Sequence, residues 1–399
     1  MKNIVRFILI EMLIVIGCYI TTPTLSYSLP TPGECQDGVL PSGALSRICI
    51  PATGWNGDLV VWAHGYTAYN EPVDFQNLML PDGTYLPDLV QKLGFAFATT
   101  SYRTNGLAIL QGTDDIRELV SVFPDVAGSA PRHTYMTGAS EGGIITTLLV
   151  EQSPEMFSGG LACCGPIGDM KKQLNYMGDF RVLFDYFFPG IIPGSPISIP
   201  QEVIDDWESV YMPAVMDELA DNPEAFLQLI KTSKATLDQN NMDNAIESAT
   251  GVLWYDVFAT NDAAAKLNGN PYGNRLRWYR GSDNDLELNQ SVQRFTADPA
   301  ALTELTKYQT TGTVTIPLVT LHTTGDEIVP FWHEVLYFEK VSTSGSTSVT
   351  QLPVKRYGHC NFTTQEVLAA FGLLVLQVTG EELEVSSELN TSTAVQGVK

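Results

Sequence analysis

Residues 133–151, HTYMTGASEGGIITTLLVE, constrain the fold of this chain more than any other stretch. A short β-prone run, 133–137, ends abruptly in Gly138-Ala139-Ser140-Glu141-Gly142-Gly143. An apolar, helix-compatible segment, 144–150, follows with no polar loop between. A strand that becomes a helix within one G-x-S-x-G must turn very sharply, and the serine at its apex then has strained backbone angles. A side chain at Gly138 or Gly142 would collide with its neighbours. The turn projects Ser140 Oγ outward at a helix N-terminus, where free N–H groups favour negative charge. Taken alone, the stretch also fits a glycine-rich turn with an incidental serine. The rest of the chain has to decide.

Alternating strands and helices surround the turn. Residues 38–55 read as a β-hairpin that starts the sheet, and 58–62, 95–102 and 160–164 as strands buried on both faces, since their apolar runs are nearly continuous. Helices are expected over 87–93, over 113–126, and from the turn to about 157. This alternation implies an α/β fold, a mostly parallel sheet with helices on both faces. Near residue 169 the rhythm stops, and it resumes with a strand at 317–323. Between them lie aromatic and apolar helices, 180–188, 201–219 and 225–232, and an aromatic-rich loop over 270–281 that reads as ordered. A separate helical domain is one reading of 169–310; a lid inserted into the sheet is the more economical one. Residues 347–357 are the last strand, and Thr363 to Glu366 has the spacing of a capping box that opens the last helix. The expected organisation is thus a core in two parts, 29–168 and 311–380, a helical lid at 169–310, and a mobile polar tail at 381–399.

Residues 1–28 read as a secretory signal: Lys2 and Arg6 precede an apolar run, 7–20, broken only by Glu11. Ser26-Tyr27-Ser28 suits cleavage before Leu29. Val15-Ile16-Gly17-Cys18 instead resembles a lipobox, in which Cys18 would be acylated, and a retained N-terminal anchor is a third option. The expected location is therefore secreted or periplasmic, with or without a lipid anchor to the cell envelope. The formal net charge of −23 argues against nucleic acid or an anionic membrane as a partner.

A serine hydroxyl needs a base, and the base needs a partner that orients it. Of the five histidines, only His359 combines a late position with a strand-end loop, in Tyr357-Gly358-His359-Cys360-Asn361. His133 lies at the wrong end of its strand, His322 inside a strand and His333 on a helix, and His64 reads as a brace for its own loop. The orienting acid falls on Asp326, in the loop after 317–323, with Glu327 as the alternative. The order Ser140, Asp326, His359 follows successive crossovers of such a sheet. Oxyanion donors are expected from the backbone N–H groups of Glu141 and, in His64-Gly65-Tyr66, of Tyr66. Cys35 and Cys49 flank a turn-rich segment and suit a bridge across the first hairpin. Cys360 is expected to be tied to Cys163 or Cys164, since strand ends and catalytic loops gather at one sheet edge. No residues are spaced to hold a metal, and no cofactor is expected.

AHGY, GASEGG, TGDEIVP and GHCNF, standing in this order, make the chain resemble an α/β-hydrolase over about residues 57–168 and 310–380. The resemblance implies hydrolysis of a small or polymeric carboxylic ester through an acyl-enzyme, as in secreted carboxylesterases. Tannase-like and feruloyl-esterase-like members carry a cysteine before the serine and another after the histidine. Here Cys360 follows His359 but Ala139 precedes Ser140, so half of that device is present. A secreted peptidase of the same fold would use the same triad, with Glu141 or lid carboxylates anchoring a peptide terminus. A non-catalytic binding module is a third reading. Tyr176, Phe180, Phe184, Tyr186, Phe187 and Phe188 suit either an apolar substrate group or the core of the lid itself.

Overall fold

A computed structural model describes residues 30–238 and 241–383. The leader, Cys18 and the last part of the polar tail lie outside the described residues. Eight strands form one sheet: β1 (Cys35–Val39), β2 (Leu45–Cys49), β3 (Leu59–Ala63), β4 (Ala96–Thr100), β5 (Thr134–Ala139), β6 (Gly159–Cys163), β7 (Leu318–Gly325) and β8 (Val349–Tyr357). Their spatial order is β1-β2-β4-β3-β5-β6-β7-β8, with the first two pairings antiparallel and the rest parallel. The hairpin therefore does start the sheet, and the strand that leads to Ser140 lies near its middle.

The two faces of the sheet follow from the strand period of two. In β3, Leu59 and Val61 join the core on one face while Val60 joins the core on the other. The first core is closed by α2 (Ile109–Ala127) and α3 (Glu141–Gln152), with Ile116, Leu119, Phe123, Ile145 and Leu148 fully buried. The second is closed by α1 (Leu86–Lys92) and α12 (Thr364–Thr379), whose Phe371 packs edge-on against Phe95 and Tyr135. A capping box opens α12 as expected: Glu366 N–H donates to Thr363 Oγ1 and Thr363 N–H to Glu366 Oε2.

Between β6 and β7 the chain forms α4 (Met170–Phe187), α5 (Gln201–Asp205), α6 (Met212–Asp221), α7 (Pro223–Ser233), α8 (Met242–Lys266), α9 (Asp285–Ser291) and α10 (Pro299–Leu305), followed by α11 (Trp332–Ser344) after β7. The helices of this segment have a hydrophobic core of their own, around Phe180, Phe184, Trp207, Phe226 and Leu253. Two expectations need correction. Residues 201–219 are not one helix: Pro213 lacks the N–H an uninterrupted helix would use, and a π-helical turn, Trp207–Tyr211, joins α5 to α6. α8, the longest helix among the described residues, lies between 232 and 270, where no helix is named from the sequence. The loop over 270–281 is ordered, with Tyr272 and Tyr279 buried and both hydroxyls donating to Asp179 Oδ1.

Hydrogen bonds tie this segment to the loops at the C-terminal ends of the strands. Tyr66 Oη donates to the Phe258 carbonyl at 3.1 Å, Leu107 N–H to Asp262 at 2.7 Å, Tyr176 Oη to the Glu327 carbonyl at 2.6 Å, and Tyr357 Oη to Ser248 Oγ at 2.7 Å. Each contact lands beside the end of β3, β4, β7 or β8.

Candidate active site

β5 passes into α3 through Ser140 alone, which adopts φ 57° and ψ −120° as the N-cap of the helix. That left-handed angle is strained for a residue with a side chain. The surrounding glycines permit it. A Cβ at Gly138 would fall on the Gly142 carbonyl, and one at Gly142 on the Ala63 carbonyl of β3. The turn can be this tight only where neighbouring backbones touch.

Asp326 follows β7 and His359 follows β8, and the parallel sheet delivers both to Ser140. His359 Nε2 lies 2.9 Å from Ser140 Oγ, and His359 Nδ1 lies 2.8 Å from Asp326 Oδ2. Asp326 is fully buried, and its Oδ1 accepts from the N–H groups of Ile328 at 3.0 Å and Val329 at 2.7 Å. Burial by itself would push the Asp326 carboxyl up; His359 and His322 facing it hold it well below the usual carboxylate range. It is therefore an anion that fixes the proton of His359 on Nδ1 and leaves Nε2 to accept from Ser140. Glu327, the alternative acid, meets the backbone of His359 and not its ring; burial raises its pKa, and its Oε2 has no hydrogen-bond partner among the described residues.

His322 is more than a strand residue. Its Nε2 lies 2.8 Å from the Val329 carbonyl and 3.3 Å from Asp326, and its Nδ1 lies 3.3 Å from Glu334. Burial opposes a charge there, but the two carboxylates prevail and push the imidazole up to about 10. His322 is thus a buried cation behind Asp326. The only sequence signal for it is an ionisable residue inside a strand, four positions before the acid.

Glu141 opens α3, where first-turn N–H groups have no intrahelical acceptor. Tyr66 lies in the loop past β3, and both residues border the same cavity as Ser140. The Tyr66 loop is braced: Gly65 N–H donates to Asn77 Oδ1 at 3.0 Å, and His64 stacks on Tyr102 at 3.9 Å with Nδ1 2.7 Å from the Gly65 carbonyl. His64 does act as a brace, and Asn77 is a support that sequence reasoning missed. The Glu141 side chain turns inward, accepting the Ala108 N–H at 2.8 Å, and burial pushes its carboxyl up to about 8.

Cys35 and Cys49 are bridged across β1 and β2, where they are direct register partners. Cys360 is bridged to Cys164, with Cα atoms 5.4 Å apart. Cys163 is not bridged: as the last residue of β6 it faces the core under α12, and burial raises its thiol to about 12. Cys164 is one residue past the strand and has φ 44°, so the chain has already turned there and its sulfur reaches the His359 loop while that of Cys163 does not. Cys164, Cys360 and His359 lie close enough together to suggest a metal group, but both sulfurs are consumed by the disulfide.

Two cavities meet at Ser140. One, of about 110 Å³, is bordered by Ile109, Leu174, Met177, Tyr255 and Val329; the other, of about 340 Å³, lies beneath His359 and Cys360 against α1 and α12. The aromatic cluster of α4 borders neither. Tyr176, Phe180, Phe184 and Phe188 are buried in the helical segment's own core, with Tyr186 and Phe187 packed against it.

No protein-family model matches the chain, and no curated protein matches it in sequence. Among solved structures, it is similar to the Pyrococcus horikoshii acylaminoacyl peptidase at 13% identity and TM-score 0.45, over 91% of this chain and 44% of that one. It is similar to the Pyrococcus furiosus esterase Pf2001 at 10% identity and TM-score 0.44, over 86% and 89%. Oligopeptidase B from Leishmania major gives 10% identity and TM-score 0.45, over 87% and 37%. The chain thus spans under half the length of either peptidase. Likeness this distant leaves the assignment to the molecule's own geometry. The mostly parallel eight-stranded sheet, the serine turn between β5 and α3 and the order Ser140, Asp326, His359 give this chain the α/β-hydrolase fold.

Proposed function

We propose that the protein is a serine hydrolase that cleaves carboxylic esters. The observation that carries this is the unbroken relay from Ser140 Oγ through His359 to a buried, anionic Asp326. Ser140 Oγ attacks the ester carbonyl as its proton passes to His359 Nε2, and the amides of Glu141 and Tyr66 receive the developing oxyanion. The carbon–oxygen bond to the alcohol then breaks, and His359 returns the proton to the departing oxygen. Water repeats the sequence on the acyl-enzyme, releasing the acid and restoring Ser140.

The chemistry of the cavities favours an ester over a peptide. An aminopeptidase-type substrate needs a free carboxylate for its ammonium. Glu141 is protonated at neutral pH and bonded to Ala108, and Asp256 is paired with buried Arg181 at 3.0 Å. Residues 1–28 support an exported protein, in keeping with the two disulfides. Residues 169–310, tied over the strand ends, are read as the lid. The test is turnover of alkyl butyrates beside aminoacyl p-nitroanilides, with Ser140→Ala as control. Ester turnover lost in Ser140→Ala is the expected result. Anilide turnover would establish a peptidase instead, and residual ester turnover above about a tenth in Ser140→Ala would remove the nucleophile.

A further inference from the structure

The larger of the two cavities at Ser140 is placed unusually. It runs along the face of the sheet covered by α1 and α12, a layer that is otherwise closely packed core. Val60 and Trp62 of β3, Leu161 of β6, Leu89 of α1 and Phe371 of α12 are among its walls, and among the described residues no Lys, Arg, Asp or Glu borders it. Its polar groups gather where Ser140, His359 and Asn77 meet.

We propose that this cavity holds the alcohol arm of the substrate, and that the substrates are esters of long or bulky apolar alcohols with a shorter acyl group. The inference rests on the hydrolase reading above and deepens it. His359 decides which arm goes where. When the tetrahedral intermediate collapses, His359 Nε2 must reach the departing oxygen, so the alcohol lies on the His359 side of Ser140. His359 borders this cavity but not the smaller one, which lies toward Glu141 and α4. The acyl arm therefore takes the smaller space, about 110 Å³ against about 340 Å³. Without a charged group in its walls, the larger cavity excludes ionic alcohols, because a charge there would lose its water without gaining a partner.

Val367 of α12 is half-buried and borders the cavity, so Val367→Trp fills it from the helix side. The ratio of kcat/KM for dodecyl butyrate to ethyl butyrate should fall about tenfold or more in this variant. The ratio for ethyl dodecanoate to ethyl butyrate, which lengthens the acyl arm instead, should change little. Leu161→Ala, which enlarges the cavity, should raise the first ratio. Equal losses in both series, or a loss confined to the acyl series, would overturn the proposal. A wild-type protein that cleaves no ester would instead refute the hydrolase reading. Even then the cavity is tested on its own, by calorimetric binding of 1-dodecanol to Ser140→Ala and to Ser140→Ala/Val367→Trp. Binding to the first and not the second supports the cavity; equal binding, or none, overturns it.

Discussion

At the scale of single residues the site depends on Asp326 being an anion with both oxygens committed. Oδ1 takes two backbone N–H groups and Oδ2 faces His359. An amide in its place would still accept from Ile328 and Val329, but would turn an NH₂ toward His359 and favour the tautomer that cannot accept from Ser140. Asp326→Asn should therefore lower kcat by roughly 10⁴ with an unchanged fold, whereas KM should move little. Near-normal kcat in this variant would show that Asp326 is not the orienting group. Much of this geometry was legible in the sequence, because Ser140, Asp326 and His359 each follow the end of a strand and five histidines leave few choices. What could not be read were the supports. His322 and Asn77 act through contacts 4 to 12 residues away, across loops whose course the sequence pattern does not record.

Among the elements, the ones buried on both sides were read best and α8 worst. β3, β4 and β6 are short apolar runs bounded by turns, and only a central strand looks like that. In α8 the buried side is built from Ala245, Ile246, Ala249, Val252, Leu253 and Val257, interleaved with buried Ser248, Thr250 and Asp256. A helix packed on several sides has no clean polar face, so its period is blurred. The cysteines show the same limit: sequence placed Cys360 near the end of β6 but could not choose between neighbours. The bridge to Cys164 joins the loop after β6 to the His359 loop, closing 196 residues of sequence separation. Such a bond typically contributes about 2–4 kcal/mol. Replacing both Cys164 and Cys360 by Ser should lower the melting temperature. It should also lower kcat more than it raises KM, because the His359 loop gains freedom while the cavity walls change only at Cys360. Unchanged kcat in a destabilised double variant would assign the bond to stability alone.

For the whole molecule, buried ionisable groups and net charge act in the same direction with pH. Burial raises the Glu141 carboxyl from 4.5 to about 8, and flanking carboxylates raise His322 from 6.5 to about 10. Both groups hold their proton more tightly in the folded protein than in the unfolded one. Their contribution is complete below the unfolded pKa and is lost as pH rises through the folded value. Glu141 therefore removes stability between about pH 4.5 and 8, and His322 between about 6.5 and 10. Asp326 runs the other way, and its contribution disappears only in acid below its ordinary range. The formal charge of −23 adds self-repulsion that grows with pH. Salt separates the two causes, since at 1 M the screening length is about 3 Å and surface repulsion is largely removed while buried groups are screened far less. The melting temperature should fall from pH 5 to pH 10 at low salt, and should still fall in 1 M NaCl with a shallower slope. Glu141→Gln retains an acceptor for the Ala108 N–H and has no proton to lose, so it should flatten the part of the curve below pH 8. A melting temperature that is level or rises over this range in 1 M salt would mean that neither Glu141 nor His322 holds its proton in the folded state.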